Sequence, residues 1–597
     1  MRRAHWLRHN RSSAAPSMAL WTDTETDPLP LSDVETKHRL RFGWACFRRT
    51  RKAGDWCKAE WWRYTSAQAF WTRVEAYTRP KTRLYLFAHN WSFDAPVLGA
   101  FDILPARGWK LSKVVIESPP VILVFRKGDR SLVLLDTLNW WRMPLRKLGE
   151  SVGLDKLDMP ARDATRAEWD RYAKRDVEVI HRAMMAWWEF LDRYDLGTFG
   201  PTLASQAMRA FRHRFMEHPV LIDDNEHALE LARDALHGGR TECFRIGKIQ
   251  GPIHVLDINS MYPAVMRDEE FPSVLRLHAR NVSLAELREW LSRYCVVARV
   301  RLETDRPRYQ LVHEGRLVSP TGRLRLALTT PDLITALDRG ELSSIEQAAC
   351  YDRAPLFRPF VDSIYKLRRE AIDRKDPVNG WLLKILMNSL YGKFAQRGER
   401  WEPVGVADDN NVAVWRDYDY ETGSIRAFRK FSGVLQERFR EGESHDSHPA
   451  IAAHVTAIAR ARLWNLIQTA GVGNVLYCDT DSLFLTEQGF SNLRDHCDPA
   501  RLGALKHEAT LAWIVIHGPK DYVTPEKQVL KGIRASAVWT DDVTVQQEKW
   551  SSLNGLVRIG DLSGPRTTVV HKRLRRVYTK GTVTKDGTVL PFVLRQW

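Results

Sequence analysis

The chain has 597 residues, too many for one hydrophobic core, so about two to four domains or subdomains are expected. A 44% hydrophobic content excludes a chain disordered throughout, and no apolar run approaches the length of a membrane span. Lys and Arg (90) exceed Asp and Glu (73), and the net charge of +17 points to a polyanionic partner, nucleic acid first and a membrane surface second.

The first segment, MRRAHWLRHNRSSAAPSMAL, carries Arg and Ser but no acid, as transit peptides do, and lacks the apolar stretch of a secretion signal. It reads as a disordered basic extension over 1–17, or as sequence preceding a start at Met18. ALWTDTETDP follows as a strand, and its period of two places Asp23 and Glu25 on one face. LYLFAHNWSFDAPVL sets Asn90, Phe93 and Asp94 after an apolar run. EWDRYAKRDVEVIHRAMMAWW has helical periodicity, with Tyr172 and Asp176 on one face at i, i+4. Each pattern alone is commonplace on a solvated surface. Together, the four carboxylates offer the hard oxygen ligands that two divalent cations need to cleave a phosphodiester, with Tyr172 beside the attacking water.

LDINSMYPAVM is an apolar strand broken by one acid, Asp257, with no adjacent cation in sequence to pair with it. WLLKILMNSLYGKFAQ is a helix that stacks Lys384, Asn388 and Tyr391 on one stripe, which suits a nucleoside triphosphate. HVTAIARARLW places Thr456 and Arg460 at i, i+4. VLYCDTDSLFL is a hairpin of two short buried strands with Asp479 and Asp481 at its tip, and with Asp257 on a neighbouring strand these acids can surround two Mg²⁺ ions. The seven cysteines are scattered without a CxxC pair, so they indicate neither a zinc site nor a disulfide framework. From Leu556 to the end, nine Lys or Arg face two Asp, a basic tail.

The ordered set DxE, NxxFD and YxxxD, with KLD at Lys156–Asp158, resembles the proofreading 3′–5′ exonuclease domain of family B DNA polymerases. The set DINSMYP, KILMNSLYG and YCDTDS resembles the three polymerase motifs of the same family, and the resemblance spans roughly Met18 to the C-terminus. Lys384 follows Asp257 by 127 positions, and Asp479 follows Gly392 by 87; both gaps resemble the insertions of the protein-primed phage, adenovirus and linear-plasmid branch. The resemblance implies an α/β multidomain chain: a ribonuclease H-like exonuclease over 18–200, then a right-hand polymerase. That half would comprise a linker and palm start at 201–250, palm with first insertion at 251–355 and fingers at 356–395. A second insertion at 396–450, palm at 451–532 and thumb at 533–597 would complete it.

For the sites, the resemblance implies Asp23, Glu25, Asp94 and Asp176 as exonuclease metal ligands, with Asp257, Asp479, Asp481 and the Ile258 carbonyl in the polymerase. Two Mg²⁺ per site are implied, with Mn²⁺ able to substitute. Ser260, Tyr262, Arg369, Lys384, Asn388 and Tyr391 would bind dNTP, and Tyr262 would exclude a 2′-hydroxyl. Thr26, His89, Asn90, Phe93, Lys156, Gly238, Gly239, Thr456, Arg460, Lys520 and Tyr522 would contact DNA. LHGGRTE resembles the family's Tyr-x-Gly-Gly linker, with Leu236 in the place of the tyrosine. The implied partners are primer-template DNA and dNTPs, with a terminal priming protein and a single-stranded-DNA-binding protein beside them. The expected form is a monomer in the bacterial cytoplasm, phage- or plasmid-encoded, with an organelle as the alternative. Two rival readings stand. A reverse transcriptase or RNA polymerase also pairs palm acids, and a DNA-binding relic would keep the folds without the chemistry.

Overall fold

The computed structural model describes residues 2–51, 55–117, 119–407, 411–441 and 443–597. The N-terminal half is built on a mixed sheet. Met18–Pro30 pairs antiparallel with Glu35–Arg49 and parallel with Arg83–Ala88, which runs parallel to Arg130–Asp136. Val121–Lys127 and Lys110–Ile116 continue the sheet antiparallel. The 28-residue helix Arg166–Arg193 crosses one face, started by a Thr165/Glu168 capping box and burying Tyr172, Asp176, Trp187 and Trp188. A register shift between Glu25 and Thr26 bends the first strand where its acids lie.

The second half centres on a seven-stranded antiparallel sheet, ordered Thr241–Cys243, Val475–Asp479, Ser482–Thr486, Gly247–Ile258, Leu505–Gly518, Asp521–Val523, Gln528–Leu530. Its backing helix Pro449–Ala470 is almost wholly buried. Helices Arg358–Asp373 and Pro377–Phe394 form the region expected as fingers. Each long sequence gap holds a sheet of its own. Phe271–Val282, Leu342–Ala354, Cys295–Thr304 and Thr321–Thr329 make the first, and four antiparallel strands within Gly398–Glu441 the second.

Three expectations change. Residues 2–17 are docked instead of disordered: His5–Trp6 pairs with Leu221–Ile222, Leu7 is buried, and the Thr198 hydroxyl donates to the Ser12 carbonyl at 2.7 Å. The segment expected as a linker carries helices Leu203–Ala210 and Glu226–Ala235, and Phe211 packs 5.5 Å from the Phe357 ring. The segment expected as the thumb, 533–597, is divided between two sheets. Thr544–Trp550 and Arg566–Arg573 extend the N-terminal sheet through Glu35–Arg49, while Val593–Arg595 runs parallel to Thr321–Thr329. One continuous apolar core joins both halves, including Trp21, Trp187, Met208, Phe360, Leu386, Val455 and Leu483. Burial at about 25 cal/mol per Å² of apolar surface fixes the halves against each other.

Candidate active sites

The first centre lies on the N-terminal sheet. Strand alternation turns Asp23 and Glu25 to one face, and the long helix brings Asp176 over them, so that one ligand oxygen from each falls within 4.8 Å of the others. Enclosure by protein raises Asp23 well above the carboxylate range, and Asp176, Asp94 and Glu25 push it further. Burial, then Asp176, lifts Glu25 to about 7. Asp94 stands beside the trio: its Oδ1 accepts from the Thr24 hydroxyl at 2.6 Å, and burial lifts it to about 7. Among the described residues, the buried Asp176 Oδ1 has no hydrogen-bond partner. Clustered acids held this far above their ordinary values, with an orphaned oxygen among them, are the donor set a hard divalent cation fits.

Lys156 closes the cluster. Its ammonium contacts the Asp176 carboxylate, donates to the Tyr172 hydroxyl at 2.9 Å and sits 4.2 Å over the Tyr172 ring. It therefore organises Tyr172 and Asp176. Phe93 lies 5.9 Å from the His38 ring and 5.5 Å from Trp550 of the tail. Thr26 reaches His38 at 3.4 Å. Asn90 has a left-handed φ of 102° and its amide donates to Asp136 at 3.0 Å. His89 departs from its expected DNA contact. Thr137 and the Met143 carbonyl engage its two ring nitrogens at 2.8 and 2.9 Å, and burial holds it neutral, with a pKa of about 4. Asp136 was not anticipated. Fully buried at the end of Arg130–Asp136, it accepts from the amides of Asn90, Trp91 and Leu138 and fixes the start of the Asp94 helix. An acid closing the apolar run RSLVLLD was its signal.

The second centre is the hairpin tip. Asp257 pairs directly with Ser482, and the Ile258 amide donates to the Asp481 carbonyl at 2.7 Å, so the DIN strand and the DTD hairpin are adjacent. Burial and then Asp481 raise Asp257 to about 6, while Lys384 and Lys506 pull the other way. Burial raises Asp481 too. Asp479 is held by the Thr241 hydroxyl at 3.0 Å and the Tyr477 hydroxyl at 3.3 Å, with the Lys520 ammonium at 3.0 Å. Thr480, at φ 64°, donates its amide to the Arg240 carbonyl at 2.7 Å, so the linker GGRT braces the tip. A side chain at Gly239 would meet Thr480 and Tyr262, and Gly238 is exposed.

Tyr262 and Tyr391 stack at 4.8 Å. Lys384 is exposed and acts electrostatically on both Asp257 and Asp481. Asn388 turns its amide back to the Lys384 carbonyl at 3.0 Å. Ser260, at φ 53°, precedes the helix Met261–Asp268 and accepts from Arg368 at 3.3 Å. Arg369, expected to bind dNTP, follows Arg368 on the helix Arg358–Asp373 and is exposed, since adjacent helical residues point about 100° apart. Thr456 and Arg460, expected at the DNA, face inward. Thr456 is buried with its hydroxyl on the Ala452 and Ala453 carbonyls. Arg460 donates to the His237 and Gly238 carbonyls at 2.9 and 3.0 Å, which makes it a support for the glycine turn. The Tyr522 ring is buried against Tyr477 and Phe484.

Residues 158–425 match the family described as DNA polymerase type B, organellar and viral. The DNA-directed DNA polymerase of Enterobacteria phage PRD1 is 26% identical over 451 residues, covering 73% of this chain and 72% of that protein. The DNA polymerase of Bacillus phage phi29 is 25% identical over 488 residues, covering 72% and 76%. A solved structure of phi29 DNA polymerase superposes with a TM-score of 0.69 at 17% identity, covering 94% of this chain and all of the other, which establishes a shared fold. Two carboxylate centres on that fold, with these relatives, give the conclusion: the chain is a DNA-directed DNA polymerase, similar over residues 158–425 to the organellar and viral type B DNA polymerases.

Proposed function

We propose that the hairpin centre adds deoxynucleotides to a primer 3′ end and that the cleft centre removes nucleotides from a single-stranded 3′ end. The observation that carries the polymerase assignment is the direct pairing of Asp257 with the hairpin holding Asp479 and Asp481. Asp257, Asp479, Asp481 and the Ile258 carbonyl would hold two magnesium ions in one centre, and Asp23, Glu25, Asp94 and Asp176 would hold two in the other, with manganese able to substitute. When bound, such ions lower the pKa of the attacking hydroxyl or water and neutralise charge on the phosphates.

The chain's own side chains then position the reactants. Arg368, with Ser260 and the free amides of the helix Met261–Asp268, binds the triphosphate, since a helix start and a guanidinium both favour anions. Tyr262, braced by Tyr391, closes the floor beneath the sugar and leaves no room for a 2′-hydroxyl. In the cleft, Lys156 holds the Tyr172 hydroxyl, which orients the attacking water beside Asp176, while Phe93, Asn90 and Thr26 hold the unpaired 3′ end. Primer-template DNA and incoming nucleotides are named in the phi29 polymerase complex, and they are the proposed ligands here. Strand displacement and a terminal protein as primer are proposed from the phage relatives and the two inserted sheets, as is a host cytoplasmic setting.

Asp257→Ala is expected to abolish dNTP incorporation while digestion of a 3′ single strand continues, and Asp23→Ala to do the reverse. Loss of both activities in either variant, or of neither, refutes two separate centres. Extension of a DNA primer with dNTPs and not NTPs separates the proposal from the reverse-transcriptase and RNA-polymerase rivals only in part; a DNA template copied where an RNA template is not completes the distinction.

A further inference from the structure

Outside both centres, three side chains from two segments converge. His5 belongs to the N-terminal arm, and His445 with Asp446 to the connection that leads from the second inserted sheet into the helix Pro449–Ala470. One ligand atom from each lies within 4.8 Å of the other two. Asp446 Oδ1 is 2.7 Å from His445 Nδ1 and 3.5 Å from His5 Nε2. The two imidazoles lie 4.2 Å apart between centroids.

The outer contacts are those of a prepared ligand set. His5 Nδ1 is engaged by the Arg3 carbonyl at 2.9 Å, which requires its proton on Nδ1 and leaves the Nε2 lone pair free. That Nε2 is buried and, among the described residues, makes no hydrogen bond, with Asp446 Oδ1 3.5 Å away. The second oxygen of Asp446 accepts from Arg212 at 2.9 Å, so the carboxylate is oriented from behind with Oδ1 turned to the histidines. Two imidazole nitrogens and one carboxylate oxygen suit a borderline divalent ion such as Zn²⁺, whose ligand atoms in a tetrahedron sit about 3.3 Å apart. They suit magnesium poorly, because magnesium prefers all-oxygen ligation.

We propose that His5, His445 and Asp446 form a zinc site with one open position, which fastens the N-terminal arm to the entry of the helix Pro449–Ala470. Binding displaces the His445 Nδ1 proton now shared with Asp446, and the proton leaves to solvent. The arm is positioned for this role by Arg2, which donates to the Asp223, Ser444 and Ser447 carbonyls on both sides of the junction. The metal would therefore add to a contact that already exists.

The test uses the full chain, stripped with chelator and kept in excess Mg²⁺ so that the polymerase and exonuclease carboxylates are saturated. Zn²⁺ titration by calorimetry, with metal content measured after desalting, is compared among wild type, His5→Ala and His445→Ala. His445 is 80% exposed, so its replacement does not threaten folding. The expectation is one retained zinc in the wild type, at least about tenfold weaker binding in each variant, and slower tryptic cleavage at Arg8 and Arg11 only when zinc and both histidines are present. Equal retention in wild type and variants, or in none, overturns the site. Selective retention with no change in arm cleavage overturns the fastening.

Discussion

The two adjacent glycines of LHGGRTE should respond oppositely to the same substitution. A Cβ on Gly239 would lie 2.7 Å from Thr480 Cγ2, 2.9 Å from its hydroxyl and 3.0 Å from the Tyr262 hydroxyl. Thr480 has little freedom to withdraw, since its amide is bonded to Arg240 and it sits between Asp479 and Asp481 in a left-handed conformation. A Cβ on Gly238 meets nothing within 4 Å. Overpacking of this kind costs about 1–3 kcal/mol. If the tip shifts to relieve it, the loss falls on the transition state of incorporation, which converts to roughly 5- to 150-fold in kcat/KM. Single-nucleotide incorporation on a primed template, beside digestion of a 3′ single strand, reads both centres. Gly239→Ala should lose incorporation and keep digestion, and Gly238→Ala should stay within about twofold of wild type in both. Wild-type incorporation by Gly239→Ala, or equal losses in the two variants, would refute the argument that this linker braces the hairpin.

Arg368→Ala should raise the KM for dNTP by about 10- to 150-fold, the cost of a lost charged hydrogen bond, whereas Arg369→Ala should stay within about threefold by the same steady-state measurement. Arg460→Met should lower the thermal midpoint and incorporation together while leaving the salt dependence of DNA binding unchanged, because its guanidinium bonds carbonyls and not phosphate. His454 is fully buried, and burial lowers its pKa to about 4 from 6.5. A depressed native value means the unfolded chain binds more protons, so this stability is complete above pH 6.5 and is lost as pH falls toward 4. Between pH 7 and 5 the loss is about 2 kcal/mol, and urea unfolding of His454→Gln should show a slope reduced by that amount.

What could be read from sequence was local. Asp23 with Glu25, and Asp479 with Asp481, are two residues apart on strands, so their faces follow from a period of two, and the hairpin's flanking apolar residues fix its burial. Helical spacing correctly put Thr456 and Arg460 on one face, but nothing in that segment says whether the face meets DNA or the packed interior. Arg368 is set apart from Arg369 by its partial burial and by a contact with Ser260, 108 residues away. Asp136 is a single acid at a strand end, and its three amide partners appear only once the Asp94 helix is folded against it. The docked arm, paired with Leu221–Ile222, and the strand Arg566–Arg573, paired with Glu35–Lys37, depend on contacts between segments hundreds of residues apart. Such pairings leave no periodic trace.

The tail shows why charge alone misleads about mechanism. Its excess of cations suggests a surface for duplex phosphates, yet several of them are already committed to protein. Arg566 pairs with Glu35 at 2.6 Å and with Asp561, Arg576 lies 3.6 Å from Asp521, Lys572 bonds the Lys531 and Gly532 carbonyls, and Lys580 bonds the Thr241 carbonyl at 2.8 Å. Thr241 in turn holds Asp479, while Trp550 abuts Phe93 at the other centre, so one segment of the tail touches both sites. These cations hold the tail against the rest of the protein, and only the remainder can face DNA. Arg573 and Arg575 are exposed on that segment. Replacing both by Gln should reduce the slope of log K against log salt for primer-template binding by about 1.8, at roughly 0.9 per phosphate contact. Arg566→Gln should leave that slope unchanged and instead loosen the strand Arg566–Arg573 from the N-terminal sheet, seen as faster amide exchange there. A slope that fell as far for Arg566→Gln as for the exposed pair would mean that the whole tail grips DNA and that its protein contacts give way when DNA binds.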